Sequence, residues 1–416
     1  MRLINLASLE FEEFYDEQIP PYAILSHRWS KTEISYKDFL KARFVNGPGY
    51  DKILGFCALA SGRNARVWNA QRCQMMEVPI EYGWVDTCCI DKKSSAELSE
   101  AINSMFVWYH KAAVCYVYLA DVEGTAQSKA FKDSEWWTRG WTLQELLAPW
   151  DVVFCNDTWD VIGHKCTHGD GGRPLRATLC HTLYGPSLND SITKLTNVGG
   201  QYLKGPLYIF DASVACRLSW AAFRKTTRVE DIAYCLLGIF QINMPLLYGE
   251  GGKAFLRLQE NIVQRSNDQS IFAWNHRRAG RGMLASHPIA FAKSSNILSP
   301  EFAPGASHSL TNNGLEMRAK AEEAYDKGLK VMVRLVKLNC GIYGSTNNMR
   351  HGERCFKPTE IALVSVSPNN PTWYRRVYYD WEYDFVPERF AEEARQDLGE
   401  VLLHIQAWAP VQDYGT

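Results

Sequence analysis

The first 162 residues of this chain predict an α/β domain with a parallel β-sheet covered by helices. Short apolar runs at residues 22–26, 83–86, 113–119 and 151–154 alternate with amphipathic stretches, a pattern typical of strands buried on both faces. Residues 207–274 show helical spacing, and apolar and polar residues alternate from about residue 275, which indicates strands. The sequence therefore predicts four segments: an α/β core at 1–162, a loop or insertion at 163–206, a helical extension at 207–274 and a strand-rich accessory domain at 275–416.

The clearest helix is predicted between the second and third strands of the core. Ser94 and Glu97 have the spacing of a capping box, and apolar residues then recur from position 98 to position 109 at helical intervals. Thr227 and Glu230 have the same spacing and precede a second apolar stripe that includes Val229. Residues 163–206 are rich in Gly, Thr, Asn and Pro without a sustained period, which favours a loop.

Composition excludes several classes of protein. The chain has 45 basic and 46 acidic residues among 416, so no overall charge favours nucleic acid or an anionic membrane. No apolar run reaches the roughly 18 residues of a membrane span. The N-terminal residues lack the pattern of a signal peptide, and the 12 cysteines are scattered, most of them in apolar runs. We therefore expect a cytosolic protein with buried, reduced thiols.

The segment with the most chemical potential is residues 134–147. Trp141 and Glu145 are four positions apart, so on a helix they share one face. A carboxyl beside an indole is partly desolvated, and ligands of open parallel sheets gather at the carboxyl ends of strands. A structural role, in which the tryptophans pack and Glu145 pairs with Arg139, fits equally well, and the short spacing by itself favours that role.

Six ordered blocks of the chain resemble the signature blocks of fungal heterokaryon-incompatibility (HET) domains. The resemblance covers roughly residues 1–275. The blocks are residues 22–29 (YAILSHRW), 84–91 (WVDTCCID), 97–105 (ELSEAINSM), 139–145 (RGWTLQE), 228–238 (RVEDIAYCLLG) and 244–251 (MPLLYGEG). Residues around Cys73 and residues 163–206 look like additions to the family pattern.

HET domains are in turn similar to Toll/interleukin-1-receptor (TIR) domains. This resemblance implies a TIR-like, flavodoxin-like sheet with flanking helices in which residues 22–26 are the first strand. Residues 114–119, followed by Ser134, Trp141 and Glu145, resemble the fourth strand and the Trp-x-x-x-Glu helix of NAD-cleaving TIR domains. The catalytic glutamate of that family then falls on Glu145. Because the pyridinium of NAD leaves as a neutral molecule, one carboxylate suffices to stabilise the oxocarbenium-like transition state.

Residues that follow the predicted strands are candidates for substrate binding. They are Ser26, His27, Arg28, Trp29, Asp86, Arg139 and Trp141. Either arginine suits a phosphate, an aspartate at the end of a strand suits a ribose hydroxyl, and an indole suits a ring or the exclusion of water. Each of these residues also has an ordinary structural role open to it, such as an ion pair or a turn.

We expect no resident metal or cofactor, with NAD or a related nucleotide as the substrate. His164, Cys166, His168, Cys180 and His181 lack the spacing of a standard zinc site. The resemblance implies a cell-death effector that acts after assembly into a homo-oligomer. Two alternatives stay open, a non-enzymatic module for self-association and signalling, and a metabolic enzyme built on the HET scaffold.

Overall fold

A computed structural model describes most of the chain. The described residues are 1–15, 18–41, 47–69, 74–167, 182–275, 282–299, 308–312, 314–327, 330–344, 355–367, 370–377 and 396–405. They form two compact units. Unit 1 comprises Met1–Ile209, Arg224–Thr227 and Tyr234–Leu246, and unit 2 comprises Phe210–Phe223, Arg228–Ala233 and Leu247–Thr416. The predicted helical extension, 207–274, therefore contributes residues to both units.

Unit 1 is built on a seven-stranded sheet with the order β2-β1-β6-β3-β7-β8-β9. The strands of unit 1 are β1 (Arg2–Asn5), β2 (Phe11–Glu13), β3 (Tyr22–His27), β4 (Asn64–Asn69), β5 (Gln74–Pro79), β6 (Tyr82–Trp84), β7 (Val114–Tyr118), β8 (Val152–Cys155) and β9 (Val161–Lys165). Strands β6, β3, β7 and β8 are parallel, whereas β1, β2 and β9 join the edges antiparallel. Strands β4 and β5 form a separate antiparallel pair.

The prediction of a parallel sheet is therefore right for the centre and wrong for the edges. Tyr22–Leu25 of β3 and all of β8 are buried apolar residues, and the parallel centre is where such runs belong. Strand β2 has two exposed glutamates, so its sequence does not resemble a buried strand. In chain order the parallel strands occupy spatial positions 2-1-3-4, and the order reverses between β3 and β7.

Seven helices of the described part of unit 1 connect these strands. They are α1 (Tyr36–Lys41), α2 (Pro48–Ser61), α3 (Asp86–Cys89), α4 (Ser95–Lys111), α5 (Lys129–Asp133), α6 (Thr142–Leu147) and α7 (Asn189–Thr196). The predicted capping box of α4 is confirmed at Ser94, whose hydroxyl accepts the Glu97 N–H at 3.3 Å. The Glu97 carboxylate instead accepts the Asp91 N–H and an Arg2 guanidinium N–H, both at 2.8 Å. The apolar stripe of α4 is buried, as predicted.

Two local predictions for unit 1 differ from the structure. The second predicted strand ends at Trp84, two residues early, and Asp86 begins helix α3. Within residues 163–206, strand β9 extends to Lys165 and α7 follows, while residues 168–181 lie outside the described part. Gly163 looks like a loop residue by type, but here it gives space, because a Cβ at φ +151° would lie 2.7 Å from Leu188 Cγ.

The predicted second capping box is wrong. The Glu230 carboxylate accepts the backbone N–H groups of Gly249 and Gly251, at 2.7 and 3.0 Å, and Val229 is 61% exposed. Helix formation near Glu230 is limited to one turn. The helices after residue 207 are α8 (Val214–Ser219), α9 (Asp231–Tyr234) and α10 (Lys253–Arg265), with 3-10 turns at Tyr208–Asp211, Gly238–Phe240, Gln269–Phe272 and Pro288–Phe291.

The C-terminal part of unit 2 is rich in strands, as predicted, although its first strand begins at His308 rather than near residue 275. The strands are β10 (His308–Thr311), β11 (Gly314–Asp326), β12 (Val331–Gly344), β13 (Cys355–Ser367), β14 (Asn370–Val377) and β15 (Gln396–Ile405). Neighbours in sequence pair antiparallel up to β14, and β15 then pairs with β14 in parallel. Strand β15 also pairs antiparallel with β11, so this sheet closes on itself.

Candidate active site at the ends of strands β3 and β7

A buried carboxyl, that of Glu145, lies where two central strands of unit 1 end. Glu145 belongs to α6, in the segment that joins β7 to β8, and is 9% exposed. The Ser26 hydroxyl, near the end of β3, donates a hydrogen bond of 2.5 Å to Glu145 Oε2. The Trp136 indole N–H donates to the Ser26 hydroxyl oxygen at 2.9 Å. A chain of two hydrogen bonds thus fixes the carboxyl.

The surroundings of Glu145 disfavour its charged form. Burial raises the pKa of Glu145 to about 8, and the neighbouring Asp86 charge raises it further, while the Ser26 hydrogen bond and the Arg139 and Arg224 guanidinium groups lower it. At neutral pH this carboxyl is therefore mostly protonated. A group in this state releases its proton only when a positive charge arrives nearby or the pH rises.

Arg224 supports the turn that precedes α6. Its guanidinium donates to the Arg139 carbonyl at 2.7 Å and to the Thr142 hydroxyl at 3.0 Å. Burial lowers the pKa of Arg224 to about 10, so the group stays charged at neutral pH. Arg224 is therefore a source of positive charge beside Glu145 that the sequence analysis did not include.

A second polar cluster is centred on Asp86. The Trp29 indole N–H donates to Asp86 Oδ2 at 2.8 Å, and the Lys92 ammonium lies 3.6 Å from the same oxygen. Lys92 Nζ also lies 3.3 Å from the centroid of the Trp29 ring, a cation–π contact. His27 Nε2 is 4.0 Å from Asp86 Oδ1.

His27 joins this cluster to a buried ion pair. Its Nε2 lies 3.4 Å from Glu33 Oε2, and the Lys52 ammonium donates to Glu33 Oε1 at 2.5 Å. Burial opposes the charge of Glu33, but the His27 ring and Lys52 outweigh it and lower the pKa of Glu33. Glu33 is therefore ionised and holds the buried His27 ring in place.

The other predicted site residues have specific partners. Arg28 forms an ion pair with Glu135, and both side chains are about half exposed. Arg139 donates to the Thr227 hydroxyl at 3.2 Å. Trp141 precedes α6, and its carbonyl accepts the Glu145 N–H at 3.5 Å. The structure thus brings Ser26, Asp86 and Glu145 to one edge of the sheet and leaves Arg28 and Arg139 engaged in other contacts.

Four residues of this region were missed by the sequence analysis: Trp136, Lys92, Glu33 and Arg224. The first lies inside the 134–147 segment, but the direction of its indole N–H depends on the 3-10 turn Glu135–Thr138. Lys92 directly follows the WVDTCCID block, which was the available signal. Glu33 and Arg224 carry no motif, because their roles depend on partners far away in sequence.

No group of three His, Cys, Asp or Glu side chains that could hold a metal ion occurs among the described residues. Three members of the histidine and cysteine set considered above, at positions 168, 180 and 181, lie outside those residues. The absence of a resident metal stays a prediction. No helix in the described part of the chain is long and apolar enough to cross a membrane.

Comparison with known proteins defines the class. Residues 22–130 match the heterokaryon incompatibility protein (HET) family, a range that contains β3, α3, α4 and β7. This chain is therefore a HET-domain protein. Residues 253–311 match a family described as a domain of unknown function, DUF8212. Glu145 lies beyond the residues matched to the HET family.

The vegetative incompatibility protein HET-E-1 of Podospora anserina is a relative of this chain. The two sequences are 44% identical over 257 residues, which is 59% of this chain. The aligned part is 16% of the relative, so this chain spans only a small part of that protein. No solved structure matches the chain.

Proposed function

We propose that the HET domain of this chain cleaves the bond between nicotinamide and ribose in NAD, with Glu145 as the catalytic carboxylate. The observation that carries this proposal is the buried Glu145 carboxyl, held by Ser26 where β3 and β7 end. In flavodoxin-like sheets of order 2-1-3-4, ligands bind where the strand order reverses. Here that point lies between β3 and β7. The strand order thus supports the TIR-like character of the domain.

The chemistry needs one ionised carboxyl. The bond from the anomeric carbon to the pyridinium nitrogen breaks, its electron pair stays on nitrogen, and neutral nicotinamide leaves. Water then adds to the ribose cation and loses a proton, which gives ADP-ribose. Glu145 as a carboxylate stabilises the positive charge that develops on the ribose. The cationic ring of bound NAD favours this ionised form over the protonated resting form.

Neighbouring residues supply binding roles in this proposal. Arg28 and Arg139 are the candidates for the phosphates, and NAD would exchange for the Glu135 and Thr227 partners that they now have. Asp86 is the candidate for a ribose hydroxyl. Because the related protein is named for vegetative incompatibility, we propose that the activity serves an incompatibility or cell-death response after the chain assembles with copies of itself.

A non-enzymatic module for self-association is the second candidate. The observation that favours it is the same buried carboxyl, since Glu145 is only 9% exposed and Ser26 already satisfies one of its oxygens. A carboxylic acid with a purely structural role would have these properties too. The two candidates therefore differ in turnover and not in resting geometry.

Turnover of NAD by the purified chain tests the proposal. We expect release of nicotinamide at high protein concentration with a crowding agent, and a loss of at least about a hundredfold in Glu145→Gln. Glu100→Gln, at an exposed position of α4, is the matched control and should keep the wild-type rate. Equal turnover by wild type and Glu145→Gln would reject Glu145, and no turnover by concentrated wild type would favour the second candidate.

A further inference from the structure

The Trp29 indole is an exposed aromatic ring held at both its edge and one face. It is 48% exposed, yet its N–H is bound to Asp86 and one of its faces is covered by the Lys92 ammonium. The side chains that hold it are more buried, with exposed fractions of 18% for Asp86 and 32% for Lys92. An aromatic ring fixed in this way loses little conformational entropy when a flat ligand stacks on it.

We propose that the open face of the Trp29 indole binds the neutral purine ring of a nucleotide, with Lys92 on the opposite face as the element that selects for a neutral ring. The existence of the site stands on the Trp29 geometry alone. Only the identification of the nucleotide as NAD rests on the proposed function. The ligand class is an adenine nucleotide, which stacks its base on Trp29.

The charge of Lys92 determines which ring stacks. An ammonium above an indole draws on the electron density of the ring, so a second cation on the other face gains less than a neutral ring does. Adenine is neutral and electron-rich at physiological pH, whereas the nicotinamide ring of NAD carries a positive charge. The indole should therefore prefer the purine end of a dinucleotide to the pyridinium end.

The position of Asp86 gives the orientation of the ligand. Asp86 binds the Trp29 N–H and also contributes to the electrostatic field at Glu145, so the ring and the carboxyl flank the same aspartate. A dinucleotide with its purine on Trp29 would extend its cationic ring towards Glu145, where a negative charge is favourable. Trp29 thus orients the substrate, and Glu145 acts on the far end of it.

A purely structural alternative gives the same resting contacts. In that case Trp29, Asp86 and Lys92 only close the loop after β3, and no base stacks on the ring. The alternatives separate in binding measurements with fragments of the substrate. Adenosine monophosphate (AMP) contains the neutral base, and nicotinamide mononucleotide (NMN) contains the cationic ring.

Calorimetric titration of the purified full chain with AMP and with NMN tests the proposal. We expect wild type to bind AMP more tightly than NMN. Trp29→Ala should weaken AMP binding about five- to a hundredfold, the usual effect of removing an aromatic ring from a stacked base, whereas Trp29→Phe should retain most of the affinity. Lys92→Gln should narrow the preference for AMP over NMN, a change that a loop-closing role would not produce.

Trp150 provides the matched control. It is 42% exposed and directly precedes β8, so it lies at the opposite edge of the parallel strands from Trp29, which follows the end of β3. Trp150→Ala should leave AMP affinity at the wild-type value. If Trp29→Ala has lost its fold by circular dichroism, the comparison of Trp29→Phe and Lys92→Gln with wild type decides.

Three results would overturn the inference: wild type that does not bind AMP at millimolar concentration, Trp29→Ala that binds AMP as wild type does, or wild type that prefers NMN. These measurements involve no cleavage. A chain that binds AMP through Trp29 but consumes no NAD would therefore keep this site and lose the glycohydrolase proposal. A chain that consumes NAD through Glu145 with unchanged AMP binding in Trp29→Ala would do the reverse.

Discussion

Ser26 and Glu145 are 119 positions apart in the sequence, and a hydrogen bond of 2.5 Å connects their side chains. Ser26 pairs with Val117 across the parallel strands β3 and β7, and Glu145 lies in the segment that leaves β7. The bond therefore ties together the two strand ends between which the strand order reverses. It also supplies a donor to the carboxyl, which stabilises its charged form in a site that otherwise disfavours charge.

Loss of the Ser26 hydroxyl should impair the site in two ways. In Ser26→Ala the pKa of Glu145 rises further, because burial is then less opposed, and the buried Trp136 indole N–H loses its acceptor. We expect NAD turnover to fall about 10- to 100-fold and the free energy of unfolding to fall by about 1–3 kcal/mol. Ser26→Thr retains a hydroxyl and should recover part of the rate. Full activity in Ser26→Ala would contradict this role.

The rate of NAD cleavage should depend on pH through Glu145. Because the ionised form is the active one and the pKa of Glu145 is about 8, kcat/KM should rise about tenfold per pH unit below that value and level off above it. Asp86 raises this pKa and Arg139 lowers it. Asp86→Asn should therefore move the rising limb to lower pH, and Arg139→Gln should move it to higher pH. Shifts in the same direction would show that the limb does not belong to Glu145.

Lys165 should make the stability of unit 1 depend on pH. Its buried ammonium donates to the carbonyls of Leu146 and Pro149, at 2.9 and 2.6 Å, at the end of the helix that carries Glu145. Burial lowers the pKa of Lys165 to about 7, below the value of about 10.4 for an unfolded lysine. The unfolded state thus binds more protons between these values, and the contribution of Lys165 to stability rises with pH across that range.

Urea unfolding of Lys165→Met at pH 6 and pH 9 tests this dependence. We expect the variant to be less stable than wild type by about 1–3 kcal/mol at pH 9, because two buried carbonyls lose their donor. The difference should shrink at pH 6, where wild type must keep a buried charge. Lys194→Met, at an exposed position of α7, is the control and should show no pH-dependent difference. A difference that grows towards pH 6 would be contrary to this account.

Truncation after residue 275 should destabilise unit 2. The Gln259 side chain forms two hydrogen bonds with the backbone of Ala285, at 2.7 and 2.9 Å, and the Trp274 indole N–H donates to the Met283 carbonyl at 2.9 Å. A chain that ends at 275 loses these partners, and its Tm should be lower than that of a chain ending at 299 by about 5 °C or more. Equal melting of the two chains would show that residues 282–299 contribute little.

The parallel centre of unit 1 could be predicted from sequence because its strands bury both faces. Runs such as 22–26 and 151–154 are apolar at nearly every position, which leaves few alternatives to a central strand. The edge strands β1 and β2 have only three or four residues each and include exposed glutamates, so their periodicity is too weak to detect. Thr227 and Glu230 mislead for another reason, since the glutamate finds stronger partners in two backbone N–H groups.

The candidate site divides in a similar way. Ser26, Asp86 and Glu145 each follow or end a strand of the parallel centre, so their common location could be inferred from topology. Trp136 could not be distinguished from Trp137 or Trp141, because which indole reaches Ser26 depends on the path of one 3-10 turn. Lys92 gains its position only through the folded ring of Trp29. Sequence patterns locate the edge of the sheet, and folding determines the partners of each side chain.

The pairing of β15 with β11 has a consequence for the folding rate. Leu315 pairs with Ile405, so the last described strand must find the second strand of its sheet before the ring of strands is complete. Contacts between residues so distant in sequence close slowly. Until they do, β11 presents unpaired backbone groups that can pair with another chain. Unit 2 therefore has its greatest tendency to aggregate while it folds, and a chaperone that shields β11 would raise the yield of native protein.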